Sequence, residues 1–408
     1  MKKIFFQYLC RLTPTYWLTT VSESYSENKL NHLLQNAVRT TSFYAELCET
    51  KKNLSLSDFP IVRKKDIAGK EEMLIPRHYN PRLLRKVSTG GTSGLSLNIY
   101  RSPSDPIKES RFINYAHELI TPWYNRRVAI LRGNKPNNGI FSYSNGTLTL
   151  SSYDLNKKVI TTYLQLLRHY KITTLHVYPS AIMLFCKYVE IGTDSTLPHL
   201  KGILSSSEVL TKSNKTTLLK TFPGVVIIDL YGQNEHVAFA LSKNFEPYTF
   251  YQSYGVVELI DTGKRHANDA VCEIIATGMI NRGMTLIRYA TEDYVTVSDK
   301  GQITSILGRS QDYIINREGE TAICMLHTRD KTLKNVLEFQ FYQDTPGIVE
   351  FHVVVNKKFN DTDKKMIEED FYTTYSDLIR GKVVIVDKIP RTSSGKLKRL
   401  IQKLFIEV

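Results

Sequence analysis

Cysteine is scarce in this chain and poorly placed for cross-linking. Cys10, Cys48, Cys186, Cys272 and Cys324 are odd in number, widely spaced and free of any Cys-x-x-Cys pair, which argues against a disulfide framework or a cysteine-based metal site and fits a reducing cytoplasmic compartment. Long apolar runs are missing too. No stretch reaches the roughly 20 uninterrupted apolar residues of a membrane-crossing helix, so no membrane span is expected. The opening Met1-Lys2-Lys3-Ile4-Phe5-Phe6 has the charge and apolar start of a secretion signal, but Gln7 and Arg11 interrupt it and no small-residue cleavage site follows. It reads as an ordinary N-terminal helix. Internal repeats and low-complexity tracts are lacking as well, so the chain is expected to fold throughout.

Acidic residues are outnumbered, 40 against 54 lysines and arginines, for a net charge of +14. That balance attracts polyanions: nucleic acid, an anionic surface or phosphorylated small molecules. The clusters Lys212/Lys215/Lys220 and Lys396/Lys398/Arg399/Lys403 carry no zinc-finger, helix-turn-helix or RNA-recognition signature, so most of this charge reads as solvated surface and no nucleic-acid partner is expected.

At 408 residues the chain exceeds what one hydrophobic core usually serves, and a large domain plus a small one is the default. Helix starts are expected at Ser26-Glu27 and Ser42, followed by a loop from Leu54 to Lys64 that leads to a new element. From Arg127 the pattern alternates: strand 127–131, helix 157–170, strand 174–178, a helix after Pro179-Ser180, strand 202–205, helix 212–221 and strand 225–230. Alternation of this kind predicts an α/β fold with a parallel, helix-flanked sheet. A sharp turn is expected at Tyr231-Gly232. Shorter strands between Gly255 and Val297 predict a β-rich subdomain closing the large N-terminal domain, 1–307. A boundary near Leu307-Gly308 sets off a small α+β C-terminal domain, 308–408, with a helix from Asp361 to Tyr375.

Three phrases carry chemistry. Ser88-Thr89-Gly90-Gly91-Thr92-Ser93-Gly94 can cradle phosphates, because glycines let backbone N–H groups face an anion and the hydroxyls add donors. It lacks the lysine of a Walker loop. Asp229-Leu230-Tyr231-Gly232-Gln233-Asn234-Glu235 lies at the carboxyl end of the strand 225–230, where ligands of open α/β sheets collect. There an aromatic ring can stack on a purine, a polar side chain can hold a phosphate, and Glu235 can give Mg²⁺ a hard oxygen. The third, Pro390 to Arg399, is a proline-bounded, glycine-containing loop able to project one lysine toward an α-phosphate. Each alone is as well read as a loop, a strand end or a basic surface.

Together, in this order and spacing, they resemble the adenylate-forming superfamily of acyl-CoA synthetases, adenylation domains and luciferases, most of all its phenylacetate-CoA ligase and CapK-type branch. Ser206-Ser207-Glu208, Ile287-Arg288-Tyr289 with Asp293, and Gly308 to Ile314 fit as well, and the resemblance runs from about Leu54 to the end. It implies a mobile C-terminal domain and ATP-dependent activation of a small carboxylic acid as an acyl-adenylate, then transfer to coenzyme A. The alternative acceptor is an amine or hydroxyl, for example on a sugar in surface-polysaccharide assembly. The loop 88–94 would hold the β- and γ-phosphates. Ser207, Glu208 and Tyr231 would border the nucleotide, with Gly232 and Gln233 beside them. Asn234 and Glu235 would face the α-phosphate and Mg²⁺, Asp293 the ribose hydroxyls, Arg309 the same ribose or the phosphate, and Asp312 would be the hinge. Lys396 would stabilise the α-phosphate as the carboxylate attacks. Tyr143, Tyr153, Tyr178 and His236 are candidates to shape the acyl pocket, His236 also as a base. A homodimer is left open.

Three departures from the family pattern stand out. Gly94 is followed by Leu95 rather than a lysine, which implies weaker ATP binding. Thr291-Glu292-Asp293 stands where Thr-Gly-Asp is usual. The stretch from His236 to Tyr251 holds one histidine and no cysteine, too few ligands for the zinc site of some relatives.

Overall fold

Strand Val226–Gly232 (VIIDLYG) alternates Ile227 and Ile228 onto opposite faces of a sheet, and both are fully buried. A strand covered on two sides needs two layers of helix. The computed structural model supplies both. It describes the chain except residues 1–10, 48–53, 89–96, 134–135, 137–138, 154, 191–195, 267, 310–312, 319–320, 324–332, 334, 376–378, 393–394 and 405–408.

The central sheet has eight strands in the order Thr249–Phe250, Phe239–Lys243, Val226–Gly232, Gly202–Ser206, Thr174–Val177, Val128–Leu131, Thr147–Leu150, Phe141–Ser144. The five from Val226–Gly232 to Thr147–Leu150 are parallel, and antiparallel strands finish both edges. Helices Lys157–His169, Pro179–Glu190 and Lys212–Thr221 cover one face, where Ile203, Ile227 and Leu175 pack on Leu164, Phe185 and Leu218. Helix Asp105–Glu118 covers the other, placing Phe112 and Ala116 on Leu204, Ile228 and Phe239. Each fully buried aliphatic or aromatic side chain here contributes about 1.5–3 kcal/mol relative to exposure.

A second, antiparallel sheet of Gly255–His266, Asp269–Gly278, Tyr289–Val297 and Ile303–Arg309 shares its core with the N-terminal helix Glu27–Thr40. Ser26 caps that helix by accepting from the Lys29 amide, as its sequence position predicts. The C-terminal sheet, in the order Arg380–Ile385, Ile348–Val355, Val336–Thr345, Leu400–Gln402, has its own core of Phe341, Phe351, Val349 and Ile367, the last from helix Asp361–Tyr375. Contact with the central sheet runs through helix Pro179–Glu190. The Lys187 ammonium donates to the carbonyls of Leu333, at 3.2 Å, and Val336, while Leu337 packs against the central core.

Two expectations need correction. The turn expected at Tyr231-Gly232 comes later, because those residues still pair with Ala240 and Phe239 and extend the strand. The position Leu307-Gly308 is likewise strand, since Gly308 and Arg309 pair with Tyr294 and Asp293. Helix Asp105–Glu118 and the hairpin Arg85–Ser88/Asn98–Arg101 were not anticipated. Among the described residues no helix is long and apolar enough to cross a membrane.

One buried charge makes a prediction. Asp229 accepts from the Tyr248 hydroxyl, and burial raises its pKa from 3.8 to about 6, against the opposing pull of that bond and of Lys215. A raised carboxylate pKa favours folding while the group is protonated, so this contribution is full below pH 3.8 and lost as pH rises through about 6. Asp229→Asn keeps the acceptor but cannot ionise. Urea unfolding midpoints between pH 4 and 6.5 should therefore fall less with rising pH in the variant than in the parent; parallel slopes would contradict the assignment.

Candidate active site at the carboxyl edge of the central sheet

Four parallel strands end side by side, and each delivers a polar group just past its last residue. Leu131 leads to Arg132 and Gly133, Val177 to Tyr178 and Ser180, Ser206 to Ser207 and Glu208, and Gly232 to the segment 233–236. Ser207 (φ 73°) and His236 (φ 58°) turn through the left-handed region, as does Glu292 (φ 60°) in the neighbouring sheet. That conformation costs a non-glycine residue roughly 1–2 kcal/mol. Glu292 occupies the position where the family pattern has glycine, and its φ supplies the physical reason for that glycine.

Tyr231 bridges the two sheets. Its hydroxyl donates to Asp293 Oδ2 at 2.8 Å and accepts from the Gln233 side-chain amide, and the Asp293 amide donates to Thr291 Oγ1 at 3.1 Å. Burial first, and then the Asp293 charge, raise the Tyr231 pKa well above its ordinary value, so the phenol stays a donor to that carboxylate. Arg309 stands opposite Asp293 in strand register, its side chain lying outside what the structure describes. Tyr231, Gln233, Asp293 and the Arg309 backbone thus lie together where the two sheets meet.

The segment 233–236 is held from the helix side. Arg101 donates to the Asn234 carbonyl at 2.6 Å, and Glu109 Oε1 lies 2.9 Å from His236 Nε2. Glu235 is buried, while the Asn234 side chain is exposed. His236 is wholly enclosed. Its ring is closed off from solvent and faces Glu109.

The C-terminal loop reaches this same edge. A turn closed by Gly395 N–H to the Thr392 carbonyl (2.8 Å) and Thr392 N–H to the Lys396 carbonyl (3.0 Å) presents Gly395 at φ 77°. A Cβ on Gly395 would lie 2.2 Å from Gly133 Cα and 2.9 Å from the Tyr153 hydroxyl, so only glycine permits this approach. Glu208 fastens it: its carboxylate accepts from the Leu397 amide (3.0 Å), the Ser180 amide (2.8 Å) and the Ser180 hydroxyl (3.0 Å). Arg391 donates to Ser180 Oγ at 2.9 Å and pairs with Glu338, whose pKa burial raises against the pull of Arg391. Lys396 Nζ then sits 5.9 Å from the centre of the Tyr178 ring.

These positions revise two residue readings. Glu208, expected beside the nucleotide, spends its carboxylate on Ser180 and Leu397. Tyr143 stacks on Tyr170 at 4.0 Å on the outermost strand, toward the amino end of the sheet, and takes no part in the site. Tyr178 does belong to it. Ser207 accepts from Arg132 at 3.1 Å. Ser88 ends strand Arg85–Ser88 opposite Asn98; Thr89, Gly90, Gly91, Thr92, Ser93 and Gly94 lie outside the described residues, as does Asp312. Sequence reasoning missed Arg132, Ser180 and Glu338, which belong to no motif, and gave Arg391 no role although it lies inside the third phrase.

Residues 314–403 match the model of the CapK C-terminal domain. Protein CapK of Staphylococcus aureus is 23% identical over 438 residues, spanning 98% of this chain and 93% of that protein. Among solved structures, a 2-hydroxyisobutyryl-CoA ligase in the postadenylation state with 2-HIB-AMP is similar with a TM-score of 0.64, at 15% identity, over 92% of this chain and 88% of that one. The chain has the adenylate-forming fold, with a CapK-like C-terminal unit. The amide bond synthetase McbA from Marinactinospora thermotolerans has a TM-score of 0.51 to this CapK-like chain, at 15% identity, over 79% of this chain and 69% of its own.

The docking contacts predict a local change. In Glu208→Ala, the Leu397 amide loses its acceptor, and its hydrogen exchange should speed up at least tenfold with the circular-dichroism spectrum unchanged. Gly395→Ala should do the same without touching Glu208. Unaltered protection in both variants would contradict the docked arrangement.

Proposed function

We propose that this chain activates a small carboxylic acid with ATP, forming an acyl-adenylate and releasing pyrophosphate, and then passes the acyl group to coenzyme A. The observation that carries the reading is the docking of the Gly395 loop on Glu208 and Gly133, which brings the Lys396 ammonium to the edge that also holds Tyr178, Tyr231 and Asp293.

In this reading the chain through strand Ile303–Arg309 forms the nucleotide- and acid-binding domain, and the residues after it a small domain that turns about Asp312 between half-reactions. The glycine-, serine- and threonine-rich segment Thr89 to Gly94, with Ser88, holds the β- and γ-phosphates. Asp293, fixed by Tyr231, accepts from the ribose hydroxyls, helped by Arg309, and Gly232 to Asn234 line the α-phosphate. Mg²⁺ fits the chemistry here. Glu235 offers one buried carboxylate, and among the described residues no cluster of three or more His, Cys, Asp or Glu could hold an ion alone. That suits a cation bound by one carboxylate together with substrate phosphates.

The acid's carboxylate oxygen attacks the α-phosphorus as the bond to pyrophosphate breaks, and negative charge gathers on the non-bridging oxygens. Lys396 meets that charge with a preplaced ammonium, an interaction of a kind worth about 2.7–4 kcal/mol per donor. Transfer of the acyl group to an amine or hydroxyl is the second reading, supported by the likeness to CapK and to an amide bond synthetase.

Pyrophosphate exchange into ATP with a panel of acids tests the proposal. At least one acid should support exchange, and Lys396→Ala should slow it 10²–10³-fold while retaining the fold. No exchange with any aryl, fatty, hydroxy or dicarboxylic acid, or an unchanged rate in Lys396→Ala, would sink it. Thiol loss on adding coenzyme A separates the two acceptors.

A further inference from the structure

Beyond Lys396, and Arg391 with its partner Glu338, the carboxyl edge carries a further cation in Arg132. Arg132 follows strand Val128–Leu131, and its guanidinium is held flat and still: one terminal nitrogen lies 3.1 Å from His176 Nε2, the other donates to Ser207 Oγ at 3.1 Å, and its carbon sits 5.0 Å from the centre of the Tyr178 ring. Because arginine only donates, His176 must accept through Nε2, which leaves its other ring nitrogen carrying the proton. Arg132 Nε is buried and has no hydrogen-bond partner, and among the described residues no carboxylate lies within ion-pair distance of this side chain. A partly buried guanidinium without an anion is costly to maintain, and its fork geometry suits a carboxylate or phosphate.

Position narrows what that anion is. Tyr231 and Asp293 mark the nucleotide end on strand Val226–Gly232. The strand leading to Arg132 is the third neighbour from it, and at about 4.8 Å per strand that is about 14 Å away. Lys396 hangs between them, over the same Tyr178 ring. In an acyl-adenylate lying along this edge, the reacting carboxyl meets Lys396 and the remainder of the acid extends toward Arg132. We infer that Arg132 is a specificity residue that receives a second anionic group, carboxylate or phosphate, on the acid being activated, with His176 and Ser207 aiming it. The inference rests on the proposed adenylation.

Pyrophosphate exchange with matched pairs reads it directly: succinate against butyrate, phthalate against benzoate, 3-phosphoglycerate against glycerate. The dianionic member of at least one pair should be favoured tenfold or more in kcat/KM. In Arg132→Met that ratio should fall toward one, and in Arg132→Lys, which keeps charge but loses the fork, it should be intermediate. A carboxylate pair or the phosphate pair answering alone identifies which anion is meant. No dianion preference, or a ratio unchanged in Arg132→Met because both acids lose equally, overturns the inference and leaves the adenylation standing. Calorimetric titration of the same dianions covers the remaining cases. Binding by the parent and not by Arg132→Met, without exchange from any acid, keeps the anion site and contradicts the adenylation; neither binding nor exchange overturns both.

Discussion

Everything at this site depends on one carboxylate that collects donors from two parts of the chain. Glu208 binds the start of helix Pro179–Glu190 through Ser180 and the C-terminal loop through the Leu397 amide. A charged acceptor with three donors forms strong hydrogen bonds, and removing it would leave buried N–H groups unsatisfied. The same serine also takes Arg391, which ties the C-terminal loop to the start of that helix a second time. These contacts set the Lys396 ammonium over the Tyr178 ring. Gly395 sets how close that contact can be.

Around that contact the charges divide the edge into two ends. At one, Tyr231 keeps Asp293 oriented, and burial keeps the phenol protonated to do so. At the other, His176 and Ser207 hold the Arg132 guanidinium in its orientation. Lys396 lies over the Tyr178 ring that Arg132 also touches, and on the proposed reading a ligand with a diol at one end, a reacting phosphate at the middle and an anion at the far end finds a partner for each part. Left-handed residues Ser207 and His236, just past strand ends, and Glu292, inside strand Tyr289–Val297, show where the chain accepts strain along this edge.

Much of the fold was legible because buried parallel strands announce themselves. The runs around Ile203, Ile227 and Ile228 are apolar on both faces, and the helices between them carry caps or prolines at their starts. Helix Asp105–Glu118 escaped notice because its buried face includes Asp105, Ser110, Asn114 and His117, so its apolar stripe is weak. The turn placed at Tyr231-Gly232 was read from residue type, whereas pairing with Phe239–Lys243 carries the strand on. Of the site, the motif residues Tyr231, Asp293 and Lys396 could be found by spacing. Arg132, Ser180 and Glu338 could not, since their partners lie 44 or more, 28 and 53 positions away in sequence and only folding brings them together.

The most direct measurement is a crystal structure with a non-hydrolysable acyl-sulfamoyl adenosine bound. The account predicts its ribose on Asp293, its sulfamoyl group within hydrogen-bond reach of Lys396 Nζ, and Glu208 still joined to the Leu397 amide. A nucleotide bound away from the strand ends, or a Gly395 loop that stays remote from the sulfamoyl group, would contradict it.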